Sequence, residues 1–372
     1  MGSPPRLARK NGPIHSLQEN EMKRGASFWL RVAAALFVGG LVCLVPAILF
    51  PFGLSLILAV LLKPLADGIA RLGKRGGLLL PYDLAIVLAF VLFLGILYLI
   101  GQYVLVPFIK EFQEFIASIP QIVATVQQAA PRLIEQYQLN AVPPEVKQLI
   151  ASTIEKIGSY TLGLASLSLS AAFSFASTMI ELIVVPIITF YMIKSGSAFC
   201  RGFIGLFPER YEKHLTLLFQ EIHFVLSAYI RGQLTLSVLM TLVVFLGMVF
   251  LDIPYPLVIG LLAGIVEMVP VIGPIMGAVP PVLLGLAQSS AVMLQVLAFY
   301  IVVQQLDSHI VMPKLMGSII KVHPVAIILG VLVGGHLYGV VGMMISVPVL
   351  AVLQVLLRHM WFYNRYRQTC GK

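Results

Sequence analysis

Three carboxylates in this chain stand where carboxylates are rarely found. Glu267 and Asp307 bracket Met268–Leu306, a run of 39 residues with no formal charge, and Glu181 interrupts an otherwise uncharged run from Ile157 to Ile193. An ionised side chain at the centre of a bilayer costs about 2.5–3.5 kcal/mol on insertion scales, so such groups face a cavity or a partner. A protonatable carboxylate in that position suits a coupling ion, a proton or a polar solute. Glu267 either serves such a site or caps the broken helix that follows it. Glu181 either carries a proton or hydrogen-bonds to a neighbouring helix. Asp307, beside Gln304, Gln305, Ser308 and His309, either gates and binds ions or anchors a helix end. His336, between Gly335 and Leu337, either titrates near neutral pH as a ligand or is a satisfied polar group.

Glycine and proline surround these residues. Pro270, Gly273, Pro274, Gly277, Pro280 and Pro281 break the first long segment, and Gly334, Gly335, Gly339, Gly342 and Pro348 break the second. As one helix, Met268–Leu306 would run about 58 Å, against a hydrocarbon core of about 30 Å, so it must fold back. Broken helices expose backbone N–H and C=O groups to lipid at several kcal/mol each, and are tolerated where protein or water surrounds them. In transporters they form the solute site, with free helix ends as ligands. In other bundles Gly and Pro merely permit close packing. A weak internal repeat favours the first alternative. Pro256, Ile259, Met276 and Pro280 recur 68 residues later as Pro324, Ile327, Met344 and Pro348.

Composition fixes the setting. Of 372 residues 59% are hydrophobic and 11% charged, where soluble chains carry about 25% charged residues. The mean hydropathy is +0.96. Disulfide scaffolds, disordered regulators and nucleic-acid-binding modules are excluded. The net charge of +9 reads as cytoplasmic loops, not as a nucleic-acid surface. The three cysteines, Cys43, Cys200 and Cys370, have no metal or disulfide spacing. HExxH, GxSxG and Walker signatures are absent from the sequence. Neither an enzyme, a metal nor a cofactor is expected, and without a nucleotide motor any transport is secondary.

The expected fold is an all-α polytopic integral membrane protein with about six full spans and two Gly/Pro-broken re-entrant hairpins, or eight spans if each broken segment crosses once, together with amphipathic surface helices. Phe28–Leu49 reads as a first span, with a shorter helix Phe52–Ala66 after a break at Pro51. Lys and Arg clusters place both termini in the cytoplasm. The expected layout is a cytoplasmic tail (1–27), three membrane helices (28–106), extracytoplasmic amphipathic helices (107–160), a fourth membrane helix (161–193), a cytoplasmic amphipathic helix (194–231), a core with two broken hairpins (232–357) and a cytoplasmic tail (358–372). The helices around Phe108, Phe112 and Phe115 are expected on the membrane surface or against a neighbouring subunit.

Several of these stretches together resemble the autoinducer-2 exporter superfamily, also called PerM-like permeases. The residues that carry the likeness are Tyr229-Ile230-Arg231-Gly232-Gln233, the run Gly264 to Pro274, and Asp307, Pro313, Met316-Gly317, His323-Pro324, Gly334-Gly335, Gly339, Gly342 and Val347-Pro348. The resemblance implies an inner-membrane secondary transporter, homo-oligomeric and pentameric, that exports small polar signals; some members are similar to sodium/proton antiporters. The transport pathway expected from residues and resemblance together runs past Glu267, Pro270, Gly273, Pro274, Gly277, Asp307, Gly334, Gly335, His336, Gly339 and Gly342, with Glu181, Glu267 and Asp307 as proton-coupling candidates. Three function classes remain open: an exporter of a small polar metabolite, a cation/proton antiporter, and a membrane scaffold that transports nothing.

Overall fold

The structure, a computed structural model, describes residues 46–77, 80–136, 184–270, 272–316 and 322–361. The N-terminal tail, the expected first span up to residue 45, the helix expected from Pro143, the segment holding Glu181 and residues 362–372 lie outside the described residues, while the start of the expected C-terminal tail, 358–361, continues the last helix. Every described element is helical. In chain order they are α1 (Pro46–Arg75), α2 (Tyr82–Ile100), α3 (Val106–Gln136), α4 (184–204), α5 (Glu212–Phe250), α6 (Pro256–Val266), α7 (Ile272–Gln288), α8 (Ser290–Leu306), α9 (Met312–Met316) and α10 (Pro324–Trp361). Five helical stretches among the described residues are long and apolar enough to cross a membrane: Pro51–Arg75, Tyr82–Gln128, Glu212–Phe250, Ser290–Met316 and Pro324–Met360.

Three of these stretches differ from the layout read off the sequence. α1 continues through Pro51 and Pro64 without a break. A proline inside a helix costs about 3 kcal/mol; here the helix is held by packing of Ala59, Leu62 and Ala66 against Ile86, Ala89 and Ile193 of α2 and α4. Ser55 adds a second tie, its hydroxyl donating to the carbonyls of Pro51 (2.6 Å) and of Val185 on α4 (3.2 Å). α2 does not end at the membrane surface but passes through one π turn, Gly101–Leu105, into the amphipathic α3. α3 packs within this same chain, its Phe115 and Ile122 lying on the core formed by α5, α6, α7 and α8. The expected cytoplasmic amphipathic helix and the span after it form a single rod, α5, of 39 residues. At about 58 Å it is far longer than a bilayer core, so one end must project from the membrane.

α5 is the spine on which two hairpins pack. The first is α6 followed by α7. Their lengths, about 17 and 26 Å, are each short of a full crossing. α6 lies tight against α5 because Gly260 and Gly264, a GxxxG pair, let the backbones meet; a Cβ on Gly260 would stand 2.9 Å from the carbonyl oxygen of Thr241. The second hairpin is α10 itself, which reverses at Tyr338 and Gly339 (φ 59°, ψ −140°), a backbone conformation that only glycine adopts without strain. Its arms, 324–337 and 340–361, run back to back, with Gly334 against Gly342 and Gly335 against Met343.

The hairpins reach α5 from opposite ends. Gln288, at the end of α7, donates to the carbonyl of Asp252 just past the C-terminus of α5. From there the first hairpin runs back until Gln233 meets Glu267 at its turn. The second hairpin starts beside the N-terminal half of α5: Arg358 pairs with Glu221, Val355 and Ala351 pack on Val225, and Val347 packs on Tyr229. Its turn therefore points the other way. The 68-residue offset carries residues 267–271, the first turn, onto 335–339, which ends on the second. The repeat read from the prolines is thus two hairpins of opposed direction.

Candidate functional site

The turn of the first hairpin gathers polar side chains from three separate segments. A helix that ends inside a bundle leaves four carbonyls without intrahelical partners. At the end of α6 two of these are taken by α5 residues one turn apart: Gln233 Nε2 donates to the Glu267 carbonyl at 3.0 Å, and the Ser237 hydroxyl donates to the Gly264 carbonyl. Glu267 follows as the C-terminal cap of α6 and is 6% exposed. Its carboxylate lies within electrostatic reach of Asp307 and of Tyr300.

Asp307 opens a π turn, Asp307–Val311, that joins α8 to α9. Such turns insert one residue into the helical repeat and re-aim a side chain, often at a functional site. Asp307 points inward and is 4% exposed, whereas Gln305, Ser308 and His309 face outward. Gln304 and Ser308 hydrogen-bond each other at 3.3 Å, and His309 Nδ1 lies 3.1 Å from the Gln305 carbonyl, so this polar group closes on itself. The Oδ1 atom of Asp307 is buried and has no hydrogen-bond partner among the described residues. Two turns away on α8, the Tyr300 hydroxyl donates to the Gly277 carbonyl at 3.0 Å and ties α7 to α8.

The remaining expected residues divide by hairpin. Gly273 N donates to the Val269 carbonyl at 2.8 Å, and a Cβ on Gly273 would strike the Val266 carbonyl. Pro270 and Pro274 flank this turn, half-buried, and Gly277 sits against Ala263. These residues belong to one place together with Glu267. On the second hairpin Gly342 is buried and Gly334 and Gly335 are half-buried, while His336 and Gly339 are exposed. They form the turn of their own hairpin and are not gathered with Glu267 and Asp307. Glu181 lies outside the described residues. Among the described residues no group of three or more His, Cys, Asp or Glu side chains is arranged to hold a metal ion. A cleft of about 440 Å³, lined by Met248, Asp252, Ile253, Pro256 and Gln288 among others, opens at the base of the first hairpin and not at its turn.

Four participants have no mark in the sequence that singles them out as such. Gln233 lies in the Tyr229–Gln233 stretch, and the four-residue step from Gln233 to Ser237 puts both on one helix face. Tyr300 carries no local signal, since its partner is 23 residues away, and neither does Glu111 of α3, which accepts from the Leu257 and Val258 N–H groups at the start of α6, the first of them 146 residues away.

Comparison with known proteins bears on what this arrangement serves. Residues 29–361 match the model of the AI-2E family transporter family. The chain is 28% identical over 280 residues to the Bacillus subtilis (strain 168) protein named "Putative transport protein YueF", covering 74% of this chain and 76% of that one. It is 28% identical over 319 residues to "Putative transport protein YrrI" of the same organism, covering 85% and 87%. It is 22% identical over 280 residues to "Putative permease PerM" of Escherichia coli (strain K12), covering 73% and 77%.

Proposed function

The chain belongs to the AI-2E transporter family, and from that premise we propose that this multi-pass membrane protein is a secondary exporter of a small polar metabolite or signal of the autoinducer-2 kind, working in the inner membrane as a homo-oligomer with both termini in the cytoplasm. The observation that carries the reading is the burial of Glu267 and Asp307 within electrostatic reach of each other. Two buried carboxylates from separate segments come within electrostatic reach at the end of a half-helix, and one Asp307 oxygen lacks a partner among the described residues. A polar atom left so is costly unless something fills its place during function.

The chemistry of the place is that of a coupling site. Two carboxylates and the carbonyl end of α6 all present negative charge, which a proton or a monovalent cation neutralises. Loading and unloading this pair changes the electrostatic cost of keeping the first hairpin closed on α5. The solute itself would be held beside the turn near Pro270 and Gly273, where no other formal charge stands between Met268 and Leu306. A neutral or weakly charged solute fits that lining. The same pair favours a second reading, in which the cation is the only cargo and the protein exchanges sodium for protons.

Proteoliposomes carrying a pH-sensitive dye test both. Sodium pulses that move protons with no metabolite present support the antiporter. Proton movement that needs an added solute, together with uptake of that solute into everted vesicles, supports the exporter. In either case Glu267→Gln and Asp307→Asn should cut the flux by about 10-fold or more, the scale expected when a group acting directly in the transported step is lost. Flux that persists in both variants would remove this site from the mechanism.

A further inference from the structure

α6 is an eleven-residue rod with Glu267 at its far end and no cap of its own at its start. The residue before it, Tyr255, sits in the left-handed region (φ 63°) and offers no side-chain cap. The N–H groups of Leu257 and Val258 go instead to a single oxygen of α3: Glu111 Oε1 accepts both, at 2.9 and 3.2 Å. A carboxylate there satisfies two orphan donors and opposes the positive end of the helix dipole. One turn along α3, Phe115 stacks edge-on against Tyr255 with ring centres 5.4 Å apart, and Ile122 enters the same core. At the other end Gln233 and Ser237 of α5 hold the Glu267 and Gly264 carbonyls. The half-helix is thus fastened at both ends by side chains from other helices.

We propose that Glu111 is a positioning residue for transport: by closing the start of α6 it sets, through one rigid half-helix, where Glu267 stands relative to Asp307. This rests on the reading of Glu267 and Asp307 as the coupling site. Glu111 acts from about 15 Å away along α6, so it takes no part in holding the ion. Its role follows from rigidity. Freed of Glu111, α6 keeps the contact of Gly260 and Gly264 with α5 but loses the tie at its start, and any shift of the rod along α5 carries Glu267 with it and changes its distance to Asp307.

The test uses the full chain in proteoliposomes, with Cys43, Cys200 and Cys370 replaced by Ser and a reporter at the buried turn, Val269→Cys, or Met268→Cys should the first not reach the membrane. A small water-soluble thiol reagent reads access to the turn, and the proton movement that the parent protein shows, sodium-driven or solute-dependent, reads transport. Glu111→Ala and the shorter Glu111→Asp should each speed reporter labelling about 10-fold and lower maximal flux by about 10- to 100-fold, as displacement of a site by around 1 Å does. Glu111→Gln keeps an acceptor oxygen at the same reach and should return both readouts to within about 3-fold of the parent. A labelling rate unchanged in Glu111→Ala, or a Glu111→Gln variant as defective as Glu111→Ala, would overturn the proposal. The labelling arm is independent of which residues bind the ion. Undiminished flux in Glu267→Gln and Asp307→Asn would instead overturn the site, and that failure is read in different variants.

Discussion

Gly334 and Gly342 stand backbone to backbone across the second hairpin, each one's carbonyl oxygen filling the space that a Cβ on the other would need. The first hairpin has a comparable contact one residue out of register. There Gly273 meets the carbonyl of Val266, and the 68-residue offset maps Val266 onto Gly334 and Pro274, the neighbour of Gly273, onto Gly342. Both hairpins therefore close by removing a side chain just before or just after the turn. In lipid the hydrophobic effect gives little between helices, so close van der Waals contact of small residues supplies the cohesion.

Gly342→Val and Gly334→Val should each lower the apparent melting temperature of the detergent-solubilised protein, corresponding to about 1–3 kcal/mol, because the side chain must push apart two backbones that have no flexible group to give. Gly68→Ala is the control. A Cβ there meets nothing within 4 Å, and the change should stabilise α1 by about 0.5–1 kcal/mol through helix propensity. Equal melting of Gly342→Val and Gly68→Ala would mean that the arms are not in contact.

Tyr300→Phe deletes the hydroxyl that the buried Gly277 carbonyl receives at 3.0 Å and leaves that carbonyl unpaired. Loss of about 1–1.5 kcal/mol is expected. The measurement is the same thermal unfolding, and proteolysis near Ser289, where α7 turns into α8, should become faster.

Asp307→Asn separates function from stability. The carboxylate is 4% exposed with one oxygen unpartnered among the described residues, and a buried charge without full compensation costs several kcal/mol. Removing the charge at constant shape should leave the melting temperature unchanged or raise it, while ion-coupled flux falls. A melting temperature that drops by the equivalent of about 2 kcal/mol would instead mark Asp307 as part of the structural hydrogen-bonding, since loss of a satisfied partner destabilises by that order.

What could be read from the chain depended on range. Apolar runs of helical length disclosed a multi-pass helical membrane protein, since a bilayer demands about 20 apolar residues per crossing whatever the neighbours are. An uncharged run too long for one crossing, broken at Pro270 and Gly273 and repeated at Gly335 and Gly339, disclosed two interrupted segments, whereas a hairpin and a single irregular crossing were told apart only by the packing of the arms on each other. Glu267 and Asp307 were visible because charge in an apolar run is rare. The continuity of α1 through Pro51 and Pro64 was not visible: a local preference against proline was overruled by Leu62 and Ala66 packing on α2 and α4. Nor was the fate of α3, whose apolar stripe announces a partner without naming it.

The sequence by itself determined the solvent, the helical class and the places where the two late segments are interrupted, all of which follow from the character of consecutive residues. The tertiary structure alone decided that Glu267 and Asp307 are both buried and within electrostatic reach of each other, that Asp307 turns inward while Ser308 and His309 turn out, and that Glu111 closes a helix 146 residues further on. Hydrogen bonds and electrostatic contacts act over a few ångströms in space, and distance along the chain places no limit on which residues the folded helices bring that close.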